Sequence, residues 1–364
     1  MKNINKVDNN NIVCIIAEFN PFHLGHFYQI QKIKEELNPK FLVVIMSGSV
    51  TQHGDICVAK KHQRANWAIS AGVDLVIELP TIYSLSNAKT FAFGAVRILN
   101  SIFNNFTLVF GSESKSVQEL ETVYKMLKDE ETNLKIKRNL AKGFSYGKSC
   151  EFAIDSIDHN FWSPNNILSL EYMSAINSIN PYINYYPIRR QNEFQSSTYI
   201  RKLMSESNDF SSHVPSFVNI TKKFDFSTFE RLSIFNLNSK NASEISEYLN
   251  LTEGFENKIK KQRFNNISEY YSLTSRRITL SNLKRILLSI NLGIKKTSLQ
   301  LINDLPPYTT VLGINDEKKN DILSFCSRGS CNFLYKESDN AIDEYKELID
   351  IDHRADVFLD TLLR

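Results

Sequence analysis

The chain has 364 residues, of which 42% are hydrophobic and 23% charged, with a net charge of +3. This is ample for a buried core, suggests two domains, and excludes the low hydrophobicity and high net charge of a disordered chain. Its five cysteines (Cys14, Cys57, Cys150, Cys326 and Cys331) are odd in number and lack a C-x-x-C pair, which argues against a disulfide scaffold or a four-cysteine zinc site.

No run reaches 18 apolar residues and the N-terminus is polar and Asn-rich, so a soluble cytoplasmic protein without membrane span or secretory signal is expected. Residues 12–17 (IVCIIA) form a short β-branched apolar run, typical of a buried parallel strand. A loop over 18–24 leads to an amphipathic stretch, 25–37, with Phe27, Ile30, Ile33 and Leu37 at helical spacing. Residues 41–46 predict a second strand, ending in Ser47-Gly48-Ser49; 60–71 predict a helix stopped by Gly72, and 74–79 a strand stopped by Pro80. A helix over 86–99 and a strand over 107–110, ending at Gly111, complete an alternation that implies a parallel α/β sheet with right-handed crossovers. Strand content then falls. Residues 116–140 are helical and charged, 165–179 are an amphipathic helix, 182–188 a short strand, and 196–204 a helix opened by a Ser-Ser-Thr cap. The polar segment 206–215 reads as a linker, and 216–364 is mainly helical, interrupted at Pro306-Pro307.

Charge is unevenly spread. Between 258 and 296 ten Lys/Arg (Lys258, Lys260, Lys261, Arg263, Arg276, Arg277, Lys284, Arg285, Lys295 and Lys296) face one acid, Glu269. Between 337 and 360 nine acids oppose Lys346 and Arg354. The basic block suits a polyanion such as nucleic acid; the alternative is a solvated face neutralised by the acidic stretch, and charge alone weighs the two evenly.

The most informative segment follows the first strand: Glu18-Phe19-Asn20-Pro21-Phe22-His23-Leu24-Gly25-His26, an H-x-G-H at a strand-to-helix junction. Ligands of open α/β sheets bind beyond the carboxyl ends of the strands, where a helix N-terminus offers free N–H groups to phosphate. Gly25 allows close backbone approach, and His23 and His26 can donate to phosphoryl oxygens; the alternative is that they merely cap the helix. Further on, Ser196-Ser197-Thr198-Tyr199-Ile200-Arg201 sets hydroxyls at a helix start with a guanidinium one turn inside, the makings of a triphosphate clamp. Asp55, Asp74 and Glu78 are weaker candidates, as Mg²⁺ ligands, and no His/Asp/Glu cluster has transition-metal spacing.

The pair H-x-G-H and S-[ST]-x-x-[IV]-R resembles the HIGH-type nucleotidyltransferase superfamily. Within it, AEFNPFHLGH (17–26), VIMSGSVTQHGD (44–55), AGVDLVIELP (71–80), FAFGAVRIL (91–99), FGSES (110–114), SPNNILSLEYMSAI (163–176) and YPIRR (186–190) look like the bacterial tRNA(Met) cytidine acetate ligase family. The similarity is close over 12–205 and weaker through TSRRITLSNLKRILL (274–288) and YTTVLG (308–313). It implies a Rossmann-like nucleotidyltransferase domain over 1–205, a linker over 206–215, and a helical tRNA-binding domain over 216–364. The ATP site it implies is the run Val13-Cys14-Ile15-Ile16-Ala17-Glu18-Phe19-Asn20-Pro21-Phe22-His23-Leu24-Gly25-His26 with Gly111, Asn166, Arg189, Arg190, Ser197 and Thr198, and His23, His26 and Arg201 as the catalytic groups. Capping of a helix after Pro164 is the other reading of Asn165 and Asn166.

The implied reaction joins acetate to the N4 amine of the wobble cytidine of elongator tRNA(Met) through acetyl-adenylate, with ATP and Mg²⁺, releasing pyrophosphate and AMP. No resident metal site and no protein partner are implied. The rivals are a small-molecule adenylyltransferase of the same superfamily and a non-catalytic RNA-binding protein. Three departures from the family pattern stand out: Gln52-His53-Gly54 for Gln-Arg-Gly, Ala59-Lys60-Lys61-His62 for an Asp-Lys-Trp segment, and Asn192-Glu193-Phe194-Gln195 without the common His.

Overall fold

The computed structural model describes residues 11–114, 116–191, 193–334 and 343–364. Five parallel strands follow the expected runs: β1 (Ile12–Ala17), β2 (Phe41–Ser47), β3 (Leu75–Leu79), β4 (Thr107–Ser112) and β5 (Asn184–Arg189). Two more strands, β6 (Tyr308–Ile314) and β7 (Asn332–Leu334), complete a seven-stranded sheet of order β5-β4-β1-β2-β3-β6-β7. Strand β6 runs antiparallel to β3, and β7 parallel to β6.

Alternation along the central strands sends side chains to two faces, as the pleat requires. Cys14, Val43, Ile45 and Ile77 face one layer, and Val13, Ile15, Val44 and Val76 the other. The second layer holds α1 (Leu24–Leu37) and α2 (Lys61–Ser70), through Ile30, Ile33, Ala65 and Trp67. The first holds α4 (Ala88–Phe103), preceded by the short α3 (Thr81–Ser84), and α8 (Pro164–Ile179). Its core continues without a break into the C-terminal part, through Leu237, Leu283, Ile286, Leu348 and Leu362.

The expected helix over 116–140 is two helices, α5 (Val117–Lys128) and α6 (Glu130–Ala141). Asp129 sits between them in an extended conformation and its side chain caps Thr132 N–H, ending one helix and starting the next. A short α7 (Tyr146–Ala153) precedes α8, and α9 (Ser197–Ser205) follows β5. Beyond 215 the chain is mainly helical, as expected, with β6 and β7 as the exceptions. They lie on the outer edge of β3, so the C-terminal part completes the N-terminal sheet.

Asp352, Asp356 and Asp360 of the C-terminal helix Lys346–Leu362 turn toward the N-terminal half. Asp356 pairs with buried Lys61 at 2.6 Å and accepts from Ser49 Oγ at 2.6 Å. Asp360 pairs with Lys60 at 2.7 Å, and Asp352 accepts from Thr81 N–H and Tyr308 Oη, each at 2.7 Å. These three acids therefore do not pair with the basic block; Glu347 accepts from Ser298 Oγ and reaches Lys295 through its field alone, and Glu337 and Asp339 lie outside the described residues. Within the block, Lys295 pairs with Glu247 and Lys284 with Asp55, while Lys260 donates to the carbonyls of Leu237 and Asn238. Lys261, Arg263, Arg276, Arg277 and Lys296 are exposed, and none has an acid within ion-pair distance among the described residues.

Candidate active site

Strand order reverses between β1 and β4, and the chain leaves both strands at the same end of the sheet. This is where an open α/β sheet forms a crevice. After β1, Phe19 adopts a φ of 47°, a left-handed conformation that costs an aromatic residue about 1–3 kcal/mol. Its surroundings hold it there. Asn20 Oδ1 accepts from Val58 N–H at 2.8 Å, and the Phe19 ring packs against Phe22 and His26. Arg64, fully buried, donates to the carbonyls of Glu18, Ser47, Gly48 and Ala59. One guanidinium thus ties together the ends of β1 and β2 and the approach to α2.

His23 is the N-cap of α1. Its Nδ1 accepts from Gly25 N–H at 3.0 Å, and its own N–H donates to His26 Nδ1 at 3.3 Å. Since both Nδ1 atoms accept, the proton of each neutral ring belongs on Nε2. The two rings stack with centroids 3.7 Å apart. Burial and the nearby Arg190 charge lower His23 to about 4, and burial, His23 and Arg190 lower His26 as well. Both imidazoles are therefore neutral donors near pH 7. Capping and phosphate binding do not compete here, because capping uses Nδ1 and leaves Nε2–H free. A Cβ on Gly25 would lie 2.9 Å from His23 Cε1, so glycine is what lets that ring fold back over the turn.

Arg201 reaches the same place from α9, whose N-cap Ser196 accepts from Tyr199 N–H. It donates to Asn20 O at 2.7 Å, to Asp55 Oδ2 at 2.9 Å and to Thr198 Oγ1 at 3.3 Å. Lys284 holds the other oxygen of Asp55 at 2.7 Å. Burial alone would raise the Asp55 carboxyl, but Arg201 and Lys284 outweigh it and keep it below the usual range.

Between these elements lies a cavity of about 310 Å³. His23, Gly25, His26, Gly111, Arg189, Arg190, Ser197, Thr198 and Arg201 all line it, together with Ile16, Ala17, Glu18, Phe19 and Asn20. Val13, Cys14 and Ile15 lie behind the wall in the core of β1, and Pro21, Phe22 and Leu24 support the turn without facing the cavity. Asn166 is not on the wall either. It is 1% exposed, its Oδ1 accepts from Ser112 Oγ, Glu113 N–H and Ser114 N–H, and its Nδ2 donates to Phe161 O. It shapes the loop after β4, while its neighbour Asn165 lines the cavity.

The reading of the sequence missed several wall residues. Phe110 and Tyr172, with ring centroids 5.5 Å apart, give an apolar side, and Gln52, His53, Asp55 and Phe194 line the cavity as well. Asp55 had a signal as a weak metal candidate, and Gln52, His53 and Phe194 only as members of segments that depart from the family pattern. Asp74 accepts from Leu42 N–H and pairs with Lys318, and Glu78 pairs with Lys61, so neither belongs to the cavity.

The HIGH Nucleotidyl Transferase family matches the chain over residues 10–363. A tRNA(Met) cytidine acetate ligase of Fusobacterium nucleatum is 33% identical over 331 residues, covering 84% of this chain and 82% of that one. One of Thermoanaerobacter sp. is 31% identical over 369 residues, covering 92% and 90%. The chain belongs to the tRNA(Met) cytidine acetate ligase family. Its fold is that of Thermotoga maritima TmcAL bound with alpha-thio ATP, with a TM-score of 0.86 at 23% identity over 96% of this chain and 94% of that one.

Two of the departures now have a place. His53 stands exposed at the cavity mouth, and the Lys60–His62 segment docks the C-terminal part: Lys60 on Asp360, Lys61 on Asp356, His62 Nδ1 against Leu312 O. In the third, Phe194 packs on Tyr28 at the cavity wall, and Asn192 lies outside the described residues.

Proposed function

We propose that this chain activates acetate with ATP and transfers the acetyl group to the N4 amine of the wobble cytidine of elongator tRNA(Met), releasing pyrophosphate and AMP in the cytoplasm. The observation that carries the reading is one wall that presents two neutral imidazoles, each with a free Nε2–H, beside Arg201.

In the first step an acetate oxygen attacks the α-phosphorus of ATP, and the bond from that phosphorus to the bridging oxygen of pyrophosphate breaks. Charge grows on the leaving group, and donors fixed in advance stabilise it without reorganisation. His23 and His26 supply such donors, and Arg201 with Ser197 and Thr198 supplies a clamp for the outer phosphates. Gly111 supports nucleotide binding in a different way. A Cβ there would meet the Arg190 stem only at 3.4 Å, so the protein itself has room for a side chain, and the bare backbone leaves space for a ligand. Mg²⁺ fits as a companion of the nucleotide phosphates, because Asp55 is already held by two cations and Glu18 offers a single oxygen beside the one that accepts from Gln52 N–H.

In the second step the cytidine amine takes the acetyl group from the mixed anhydride. Residues 1–205 would hold the nucleotide, and the exposed cations of 216–364 would meet tRNA phosphates, leaving the unpaired anticodon base free to enter the cavity. Incubation with ATP, labelled acetate and bulk tRNA tests the proposal, with labelled N4-acetylcytidine and AMP as the expected products. A stable AMP adduct formed without tRNA, or tRNA binding without turnover, overturns it.

A further inference from the structure

The cavity holds one carboxylate that the reading above leaves without a task. Glu18 follows β1 directly, and its position is fixed at both ends: Arg64 donates to its carbonyl at 2.6 Å, and Gln52 N–H donates to its Oε1 at 2.7 Å. Only one carboxylate oxygen is used in this way, and Glu18 lines the cavity.

Acetyl transfer has a proton to place. The lone pair of a cytidine N4 amine is delocalised into its ring, so the amine is a weak nucleophile and must lose a proton as it attacks. We propose that Glu18 is the base that takes this proton; the assignment rests on the acetyl-transfer reading of the site. The N4 lone pair forms the bond to the acyl carbon, and the bond from that carbon to the phosphate oxygen of acetyl-adenylate breaks. AMP leaves with the electron pair, and the N4 proton goes to the Glu18 carboxylate.

The other groups of the cavity fit this task less well. His23 and His26 hold their Nδ1 lone pairs in the turn and present only N–H to the cavity. Asp55 is bound to Arg201 and Lys284 and is held acidic, which makes it a poor proton acceptor. His53 is exposed at the mouth. The groups that face Glu18 are His53, Asp55, Arg201, Cys57 and Tyr172. Burial raises its carboxyl above the ordinary value, against the lowering by His53, the Gln52 N–H and Arg201, and Asp55 adds to the rise. A carboxylate moved toward the working pH is a better general base than an ordinary one.

The test is Glu18→Gln, whose amide oxygen still accepts from Gln52 N–H. Two reactions are followed: acetate-dependent pyrophosphate release without tRNA, and acetyl transfer from synthetic acetyl-adenylate to transcribed tRNA across pH. The expected result is transfer slowed by at least about 10²-fold more than pyrophosphate release, which also takes place in the cavity that Glu18 lines. In addition, the rise of the parent transfer rate with pH should be absent from the variant. Transfer at the parent rate with the parent pH profile overturns the assignment. Equal loss of both reactions also overturns it, since it would make Glu18 a support for the Gln52 loop. Failure of the unmodified protein to acetylate tRNA from acetyl-adenylate overturns the acetyl-transfer reading itself.

Discussion

Lys61 offers a sharp perturbation, because its ammonium is buried against two carboxylates from different parts of the chain. It lies 2.9 Å from Glu78 at the end of β3 and 2.6 Å from Asp356 of the C-terminal helix, with side-chain exposures of 8%, 3% and 21%. Lys61→Met keeps most of the stem and removes the charge, leaving two carboxylates facing each other out of water. Removing one partner from a buried ionic group costs about 3–5 kcal/mol. At roughly 2–4 °C per kcal/mol for chains somewhat shorter than this one, the melting temperature should fall by about 6–20 °C.

The pH dependence follows from Glu78. Burial raises it to about 7 even with Lys61 beside it, and without Lys61 it rises further. A carboxyl raised above its unfolded value of about 4.3 contributes stability that is fully present below that value and lost as pH rises through the folded value. The gap between parent and variant should therefore be small in acid and widen above neutrality. Differential scanning calorimetry across pH checks this, and Lys61→Met with Glu78→Gln should recover much of the loss. A melting temperature unchanged above neutrality, or a gap that ignores pH, refutes the reasoning.

His26→Ala should lower acetate-dependent pyrophosphate release by about 10²-fold or more, since one fixed donor to a developing charge is worth about 3 kcal/mol of barrier; the circular dichroism spectrum should not change. Asn166→Ala should destabilise the protein by about 2–4 kcal/mol in urea unfolding, because it leaves the buried Ser114 N–H and Phe161 carbonyl and the partly buried Glu113 N–H without their partner, whereas Asn165→Ala should be near neutral. Replacing the exposed Lys261, Arg276, Arg277 and Lys296 with Ala should weaken tRNA binding and flatten its salt dependence by up to about 0.9 in log–log slope per lost phosphate contact, with no change in melting temperature.

Strands β1 to β4 were legible because buried parallel strands are written as short apolar, β-branched runs, β2 to β4 being closed by Gly or Pro as well, whereas β5 (NYYPIR) carries only its aromatic pair and a single isoleucine. Strand β6 was not, since YTTVLGI after Pro306-Pro307 is too short and mixed for periodicity to separate it from its helical surroundings. The break at Asp129 escaped because an aspartate inside a charged helical stretch looks like any other surface residue until its side chain is seen to cap. In the cavity, the contiguous H-x-G-H turn could be found from the sequence alone. The choice between Asn165 and Asn166 could not: neighbours on a helix point about 100° apart, and which one faces the cavity depends on how α8 is seated. Asp55, Arg201 and Lys284 meet across as many as 229 residues of chain, and composition carries no trace of such a pairing.

Strand β6 also limits how this protein can be divided. Gly54, at a φ of +78°, presses against the backbone of Lys284 and Arg285, Arg285 donates to Gln52 O, and β6 zips onto the edge of β3. Cut at 205, the chain would bare the β3 edge together with the apolar face that the C-terminal helices cover, an invitation to aggregate. The two halves are therefore not exchangeable modules joined by a tether. On the proposed function, the span from the outer cations to the cavity, set by sheet hydrogen bonds and buried charge, would serve as a caliper. An RNA would be judged by whether a loose base falls at one jaw when its backbone rests on the other, a selection by distance that needs no base-by-base reading of the stem.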